Sequence, residues 1–415
     1  MIFKYIKSTV VVCLAMTVLF VMSSCSFLAE FEDFLSQSSS QAESQSSAVL
    51  AKKREAVQTS YGFDSLSDEL LEELYYLIDE YSHNLLSVEF KIDGIYSDED
   101  IHETLVAYKN DHPEKFWLKT SYSFYYEDNS TCVYLFFNKS RDEIDKAKEE
   151  FNETVEEIVS NAPKNASDFE VEKYVYDYLV DNCEYDYTAA ESEEMIANEN
   201  DAYGALVDRK AVCEGYARAF QLLCNRLGLD CVNITGESDG NGHQWNSVKV
   251  ENSWYYVDVT WGDSDGEAEY VEYDYFNLTT EQLEKTHEID ITFNELSDGE
   301  YNEKCSYNVF VPECTSEEYN YYAYTCVTLY DIYNSDDIKN SIAEAVKNGS
   351  SYYNFRISEE LDYDSVTDEL ITQGHMYEWM EDVNYINGYD PEIDPACKVY
   401  ENSAHNVVTI LIEYI

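Results

Sequence analysis

Positive charge is what this chain lacks. Lysine and arginine number 26 against 84 aspartates and glutamates, a formal net charge of −58 over 415 residues. A polyanion of that size is repelled by phosphate backbones, which argues against nucleic acid as a partner. The acids are spread along the sequence rather than gathered in a tail, so they read as a solvated surface. Metal-binding patterns are also missing. There is no His-Glu-x-x-His pair and no Cys-x-x-Cys, and the seven histidines are scattered. No zinc site is expected from such a set. No glycine-rich phosphate loop follows a predicted strand. The stretch Asp263-Ser264-Asp265-Gly266-Glu267 lacks the full spacing of a calcium loop and reads as an acidic turn. The expectation is therefore no metal and no cofactor. What the chain does have is 45% hydrophobic residues and 39 tyrosines, enough to bury a sizeable core.

Long apolar runs are scarce as well. Thr9 to Met22 is a 14-residue run behind Lys4 and Lys7, too short to span a bilayer comfortably and suited to an export signal. It ends in Val21-Met22-Ser23-Ser24-Cys25, which resembles a bacterial lipobox, with Met22 in place of the more usual leucine. Cys25 is then the expected lipidation site, and the protein is expected to be exported and lipid-anchored on the outer face of the cell membrane. An ordinary cleaved signal is the other reading. Residues 25–58, rich in serine and glutamine, read as a tether that cannot bury enough apolar surface to order itself.

Eleven cysteines are present. Cys13 leaves with the signal, and Cys25 would carry lipid. If Cys213 stays free, the others could pair, neighbours such as Cys305 and Cys314 first, or remain buried thiols.

Periodicity outlines the rest. From Gly62 to Arg141, Leu66, Leu70, Leu74 and Leu77 mark a helix, and Ser87–Ile92 alternates like a strand. Ser97-Asp98-Glu99-Asp100 caps a second helix that Pro113 stops, and Phe116–Tyr126 with Thr131–Phe137 form a hairpin. No catalytic grouping appears there. Two helical stretches follow, Arg141 to about Ser160 and the stripe from Phe169 to Leu179. In the tail, Tyr321–Tyr330 reads as a strand, Asp336–Val346 as a helix, Tyr352–Ile357 as a strand, Ser365–Met380 as a helix and Val407–Tyr414 as a strand. The expected organisation is a signal at 1–24, a tether at 25–58, an N-terminal α/β region at 59–160, a core at 161–300 and a C-terminal α/β region at 301–415.

The chemistry concentrates in the core. Ala211-Val212 precede Cys213, and Tyr216, Phe220, Leu223 and Leu227 recur at helical spacing up to Gly228. A helix starting near Cys213 sets the thiol against free N–H groups and the positive end of the helix dipole, which favours thiolate. His243 lies in Gly242-His243-Gln244-Trp245-Asn246, and Asp258 in Trp254-Tyr255-Tyr256-Val257-Asp258-Val259-Thr260-Trp261. Both stretches read as strands. A two-residue tip at Glu251-Asn252 sets Asp258 opposite Trp245 and His243 on the same face, within side-chain reach. A three-residue tip would separate them.

Together with Ala202-Tyr203-Gly204-Ala205-Leu206, these blocks resemble the core of the transglutaminase-like superfamily in its bacterial exported form. The resemblance covers about residues 165–300. It implies an α+β, papain-like fold with the cysteine helix on an antiparallel sheet, flanked by smaller α/β regions. It implies Cys213 as nucleophile, His243 as general base and acid, and Asp258 as the group orienting the imidazole. The expected activity is attack on peptide or glutamine-type amides through an acyl-thioester, resolved by water or by an amine, with a protein or peptide as substrate. The alternative is a non-catalytic binding module on the same fold. Oligomeric state is not legible.

Overall fold

The computed structural model describes residues 60–66, 68–84, 89–190, 200–263, 270–289, 293–294, 304–305 and 307–415. The signal, Cys25, the tether, residues 264–267 of the acidic turn and the side chain of Cys305 lie outside the described residues. Among the described residues no helix is long and apolar enough to cross a membrane.

The first region is a three-stranded antiparallel sheet under two helices. Helix α1 (Glu69–Asn84) leads to β1 (Glu89–Asp93), α2 (Asp98–Asp111), β2 (Leu118–Glu127) and β3 (Ser130–Phe137), in strand order β1-β3-β2. Ser97 starts α2 with a capping box: its hydroxyl accepts from Asp100 N–H while the Asp100 carboxylate accepts from Ser97 N–H. Leu74, Ile78, Phe90, Leu105, Tyr108 and Val133 form its core.

The central region carries α3 (Arg141–Asn161), α4 (Asp168–Asn182), α5 (Cys213–Leu227) and four antiparallel strands: β4 (Cys231–Ser238), β5 (Asn241–Val250), β6 (Ser253–Val257) and β7 (His287–Ile289). Their order is β6-β5-β4-β7. The connection between β4 and β5 is tight. Strand β4 runs on to Ser238, and only Asp239 and Gly240, both with positive φ, turn the chain. At the β5–β6 tip Val250 pairs with Ser253, so the two-residue turn is the one adopted. Helix α5 buries Tyr216, Phe220 and Leu223 against Val248, Tyr255 and Val257 of the sheet and Val175 and Leu179 of α4. Each such side chain contributes about 1.5–3 kcal/mol on burial.

The C-terminal region holds β8 (Val327–Leu329), α6 (Asp336–Lys347), β9 (Tyr352–Ile357), α7 (His375–Asn387), β10 (Val399–Asn402) and β11 (Val407–Leu411), in strand order β8-β9-β11-β10 with β8 and β9 parallel. Two expectations fail here. Tyr321–Thr325 is a helical turn rather than strand, because Asn320 caps Ala323 N–H and Tyr321 stacks on the buried Tyr273. The helix expected over Ser365–Met380 breaks at Gly374, whose φ of 89° no helix accommodates, and α7 starts afresh after it. Cys132, Cys183, Cys213, Cys224, Cys231, Cys314, Cys326 and Cys397 are all free thiols, so Cys314 is unpaired.

Candidate active site

Cys213 opens α5. Val212 is the residue before the helix, extended at φ −95° and ψ −179°, and offers no side-chain cap. The first N–H groups of the helix are therefore unclaimed by a cap and stand beside the half-buried thiol. A buried polar chain sets the helix against the sheet. Asn246 Nδ2 donates to Ala217 O on α5 at 2.9 Å and to Asn233 Oδ1 at 2.9 Å. Asn233 Nδ2 in turn donates to Gln221 Oε1 at 2.9 Å. Asn246 thus fixes the sliding position of the nucleophile helix over the strand that carries His243.

His243 stands on β5 with a side chain only 9% exposed. Its Nε2 lies 2.6 Å from Asp258 Oδ2. The Cys213 sulfur lines the same cleft and interacts electrostatically with this ring. With Nε2 on the carboxylate, Nδ1 is the nitrogen left for the thiol. Asp258 follows β6, where the second strand ends earlier than the sequence suggested. It is fully buried, and Trp261 N–H donates to its Oδ1 at 3.2 Å. The three residues singled out in the sequence therefore meet at one place.

A fourth residue was not foreseen. His287 Nε2 lies 3.0 Å from the same Asp258 Oδ2, and Thr286 Oγ1 lies 2.8 Å from its Nδ1. His287 reaches the site because β7 pairs with β4 through Ser238. Aromatic rings seal this end: Trp245, Trp261 and Tyr275 lie 4.9, 5.0 and 5.4 Å from the His287 ring. Gly262 closes the turn after Trp261, and a Cβ there would fall 1.7 Å from Tyr176 Oη.

Burial works against a charged His243, but the Asp258 carboxylate and the Cys213 sulfur outweigh it and hold the ring up at about 10. Burial likewise works against an ionised Asp258, and the two imidazoles outweigh it, holding the carboxyl well below the usual carboxylate range. The result is an imidazolium–carboxylate pair beneath a thiol. His243, Asp258 and His287 could also ligate a divalent cation, since their donor atoms lie within 4.8 Å of one another.

The thiol faces a cleft of about 1060 Å³. Val212, Cys213, His243 and Trp261 form one wall, and Tyr185 and Tyr187 stand at its side. Further lining comes from the first region, which looked chemically empty in sequence: Lys109, Phe116, Leu118, Lys119, Thr120 and Asn138.

Comparison with known proteins points to the same segment of the chain. Residues 152–259 match the family model of the transglutaminase-like superfamily. The mouse kyphoscoliosis peptidase is 32% identical over 127 residues, which is 28% of this chain and 18% of the mouse protein. The human kyphoscoliosis peptidase is 31% identical over 121 residues, 26% of this chain and 18% of the human one. The chain thus spans under a fifth of the length of these curated relatives. A solved structure described as a TGase aligns with a TM-score of 0.27 and 16% identity, over 45% of this chain and 54% of that one. Thus the segment 152–259, which brings Cys213, His243 and Asp258 together, is a domain of the transglutaminase-like superfamily.

Proposed function

We propose that the protein is a thiol enzyme that cleaves peptide or side-chain amides. The observation that carries this reading is the hydrogen-bonded His243–Asp258 pair beside the Cys213 thiol in the lining of an open cleft. Cys213 thiolate attacks the amide carbonyl carbon. The His243 imidazolium gives its proton to the leaving nitrogen as the C–N bond breaks, and an acyl-thioester remains on Cys213. The ring, now neutral, takes a proton from water, the hydroxide attacks the thioester, and the acid leaves as the thiol is restored. Asp258 holds the ring by Nε2 and stabilises its charge without itself taking the proton. The backbone N–H of Cys213 is one donor for the oxyanion. The printed name of the mouse relative, a peptidase, supports water over an amine as the second substrate.

The test is to incubate wild type and Cys213→Ala with a peptide library and follow masses. Cleavage or a one-dalton gain, present in the wild type and absent in the variant, is the expected result. A cross-linked product would shift the reading to acyl transfer, and no Cys213-dependent change would leave a binding module. The lipid anchor at Cys25 is part of the same proposal and rests on residues 21–25 alone. It predicts a diacylglyceryl adduct on the N-terminal peptide of membrane-fractionated protein; a free N-terminus at any other residue would refute it.

A further inference from the structure

One cation of the cleft wall, Lys109, sits at the contact between the first region and the nucleophile helix. Arg218, one turn along α5 from the nucleophile, gives its Nε to Glu214 Oε1 at 2.9 Å, and its Nη1 donates to the Lys109 carbonyl at 3.1 Å. Glu214 is the residue next to Cys213, so these contacts tie the end of α2 to the start of the nucleophile helix. The Lys109 side chain lies in the cleft wall, and no acceptor among the described residues is within hydrogen-bonding reach of its Nζ. Glu214 and Asp201 attract it through space, but neither is hydrogen-bonded to it. Glu214 is taken by Arg218. Asp201 accepts from Tyr203 N–H at 2.9 Å, Gly204 N–H at 3.2 Å and Asn138 Nδ2 at 3.3 Å, and burial pushes its carboxyl up to about 7.

Lys109 is half-buried, and its ammonium is partly desolvated with no hydrogen-bonded acceptor to offset the cost. Burial, with the like charge of Arg218, pushes Lys109 down to about 8, so it remains cationic at neutral pH. A cation in the wall of a cleft, with no hydrogen-bonded acceptor among the described residues, offers a place for an anion from outside. A carboxylate matches a single ammonium donor at this depth.

We propose that Lys109 forms a carboxylate-binding subsite beside Cys213, so that the favoured substrates are acyl donors bearing a carboxylate close to the amide under attack. This rests on the thiol-enzyme reading above. The carboxylate is either an acidic side chain or a free chain terminus, and the two are separable.

The experiment compares alkylation of Cys213 in the full chain by iodoacetate and by its neutral isostere iodoacetamide, at physiological salt so that the overall negative field is screened. Labelling is read by mass on the Cys213 peptide. The ratio of iodoacetate to iodoacetamide rates is expected to fall about tenfold in Lys109→Gln, the loss of one charge-assisted contact, and to return in Lys109→Arg. Thermal unfolding of each variant verifies folding. Two further pairs locate the source. Bromoacetyl-Ala-Glu-amide against bromoacetyl-Ala-Gln-amide tests a side chain. Bromoacetyl-Ala-Gln with a free terminus against its amide tests a chain end. At least one pair must show a Lys109-dependent preference, and the absence of both overturns the substrate class. An iodoacetate ratio unchanged by Lys109→Gln overturns the subsite, as does an equal loss with both reagents. The thiol-enzyme reading fails separately, if iodoacetamide labels Cys213 no faster than the other thiols.

Discussion

The two flanking regions are built alike and coupled differently. Each is a small sheet covered by helices around its own core, Leu74, Phe90 and Tyr108 in the first and Phe355, Trp379 and Ile410 in the last. The first is bonded to the helix that carries the nucleophile: Gln221 Nε2 donates to Asn110 O at 2.7 Å, and Arg218 Nη1 donates to Lys109 O. The last is bonded to a loop and to strand β6: Asn402 Nδ2 lies 2.7 Å from both oxygens of Asp274, Tyr400 packs on Tyr270, and Tyr255 Oη donates to Ser316 Oγ at 2.8 Å. The first region supplies a wall of the cleft, and no residue of 307–415 lines it. A flank shapes chemistry here through the element on which it docks, and among the described residues the hydrogen bonds to α5 come from the first of the two.

The largest effects fall on the core shared by both flanks, and they set the scale. His243→Ala removes the base, and labelling of Cys213 by iodoacetamide near neutral pH should fall by about a hundredfold or more. Cys213 labelling no slower than in the wild type would show that the thiol is not activated by the ring, whatever the flanks do. Asp258→Asn comes next and moves a pH limb. The carboxylate holds His243 at about 10 against the downward pull of burial, so the imidazolium, and activity with it, is lost only as pH rises through that value. With the charge gone, burial wins and the alkaline limb should move down from about 10, which a pH–rate profile reads directly. The ion pair's contribution to stability follows the same sign. It is fully present below the ordinary histidine value of about 6.5 and is lost as pH rises through about 10.

Much of this site was legible in the sequence because it is built from local periodicities. The apolar stripe Tyr216, Phe220, Leu223, bounded by Gly228, placed Cys213 at a helix start. The period of two along β5 and β6 sets His243 and Asp258 on one face only for a two-residue tip, an alternative the sequence left open and the Val250–Ser253 pairing decides. What stayed hidden depends on pairing across distance. His287 lies 29 residues beyond Asp258 and arrives through an edge strand whose partner no spacing announces. Lys109 enters the cleft only because α2 docks on α5 through backbone carbonyls, which carry no side-chain signature. Tyr321–Thr325 failed for another reason. Its tyrosines favour strand, but a cap at Asn320 and a stacked ring at Tyr273 override that preference.

Breaking one dock at a time sharpens the contrast between the flanks. Gln221→Leu leaves Asn110 O and Asn233 Nδ2 buried without their partner, at a cost of about 1–3 kcal/mol. Because that bond joins the first region to α5, labelling of Cys213 should change along with stability, by a few-fold and most for the larger bromoacetyl dipeptides that touch the wall it supplies. An unchanged size dependence would mean that the wall does not reach the substrate.

Trp379→Ala is the matched cut in the other flank, and its effect on the site should be the smallest. Trp379 is 4% exposed and packs on Phe355 with ring centroids 6.0 Å apart. Its truncation should destabilise the C-terminal region by about 3–5 kcal/mol, read as an earlier unfolding transition. The rate of Cys213 labelling below that transition should nevertheless match the wild type, because the Asn402–Asp274 link ends at a loop and not at α5. Slower labelling in this variant, with the central region still folded, would show that the last region also governs the nucleophile, and the division between a flank that shapes the cleft and one that does not would collapse.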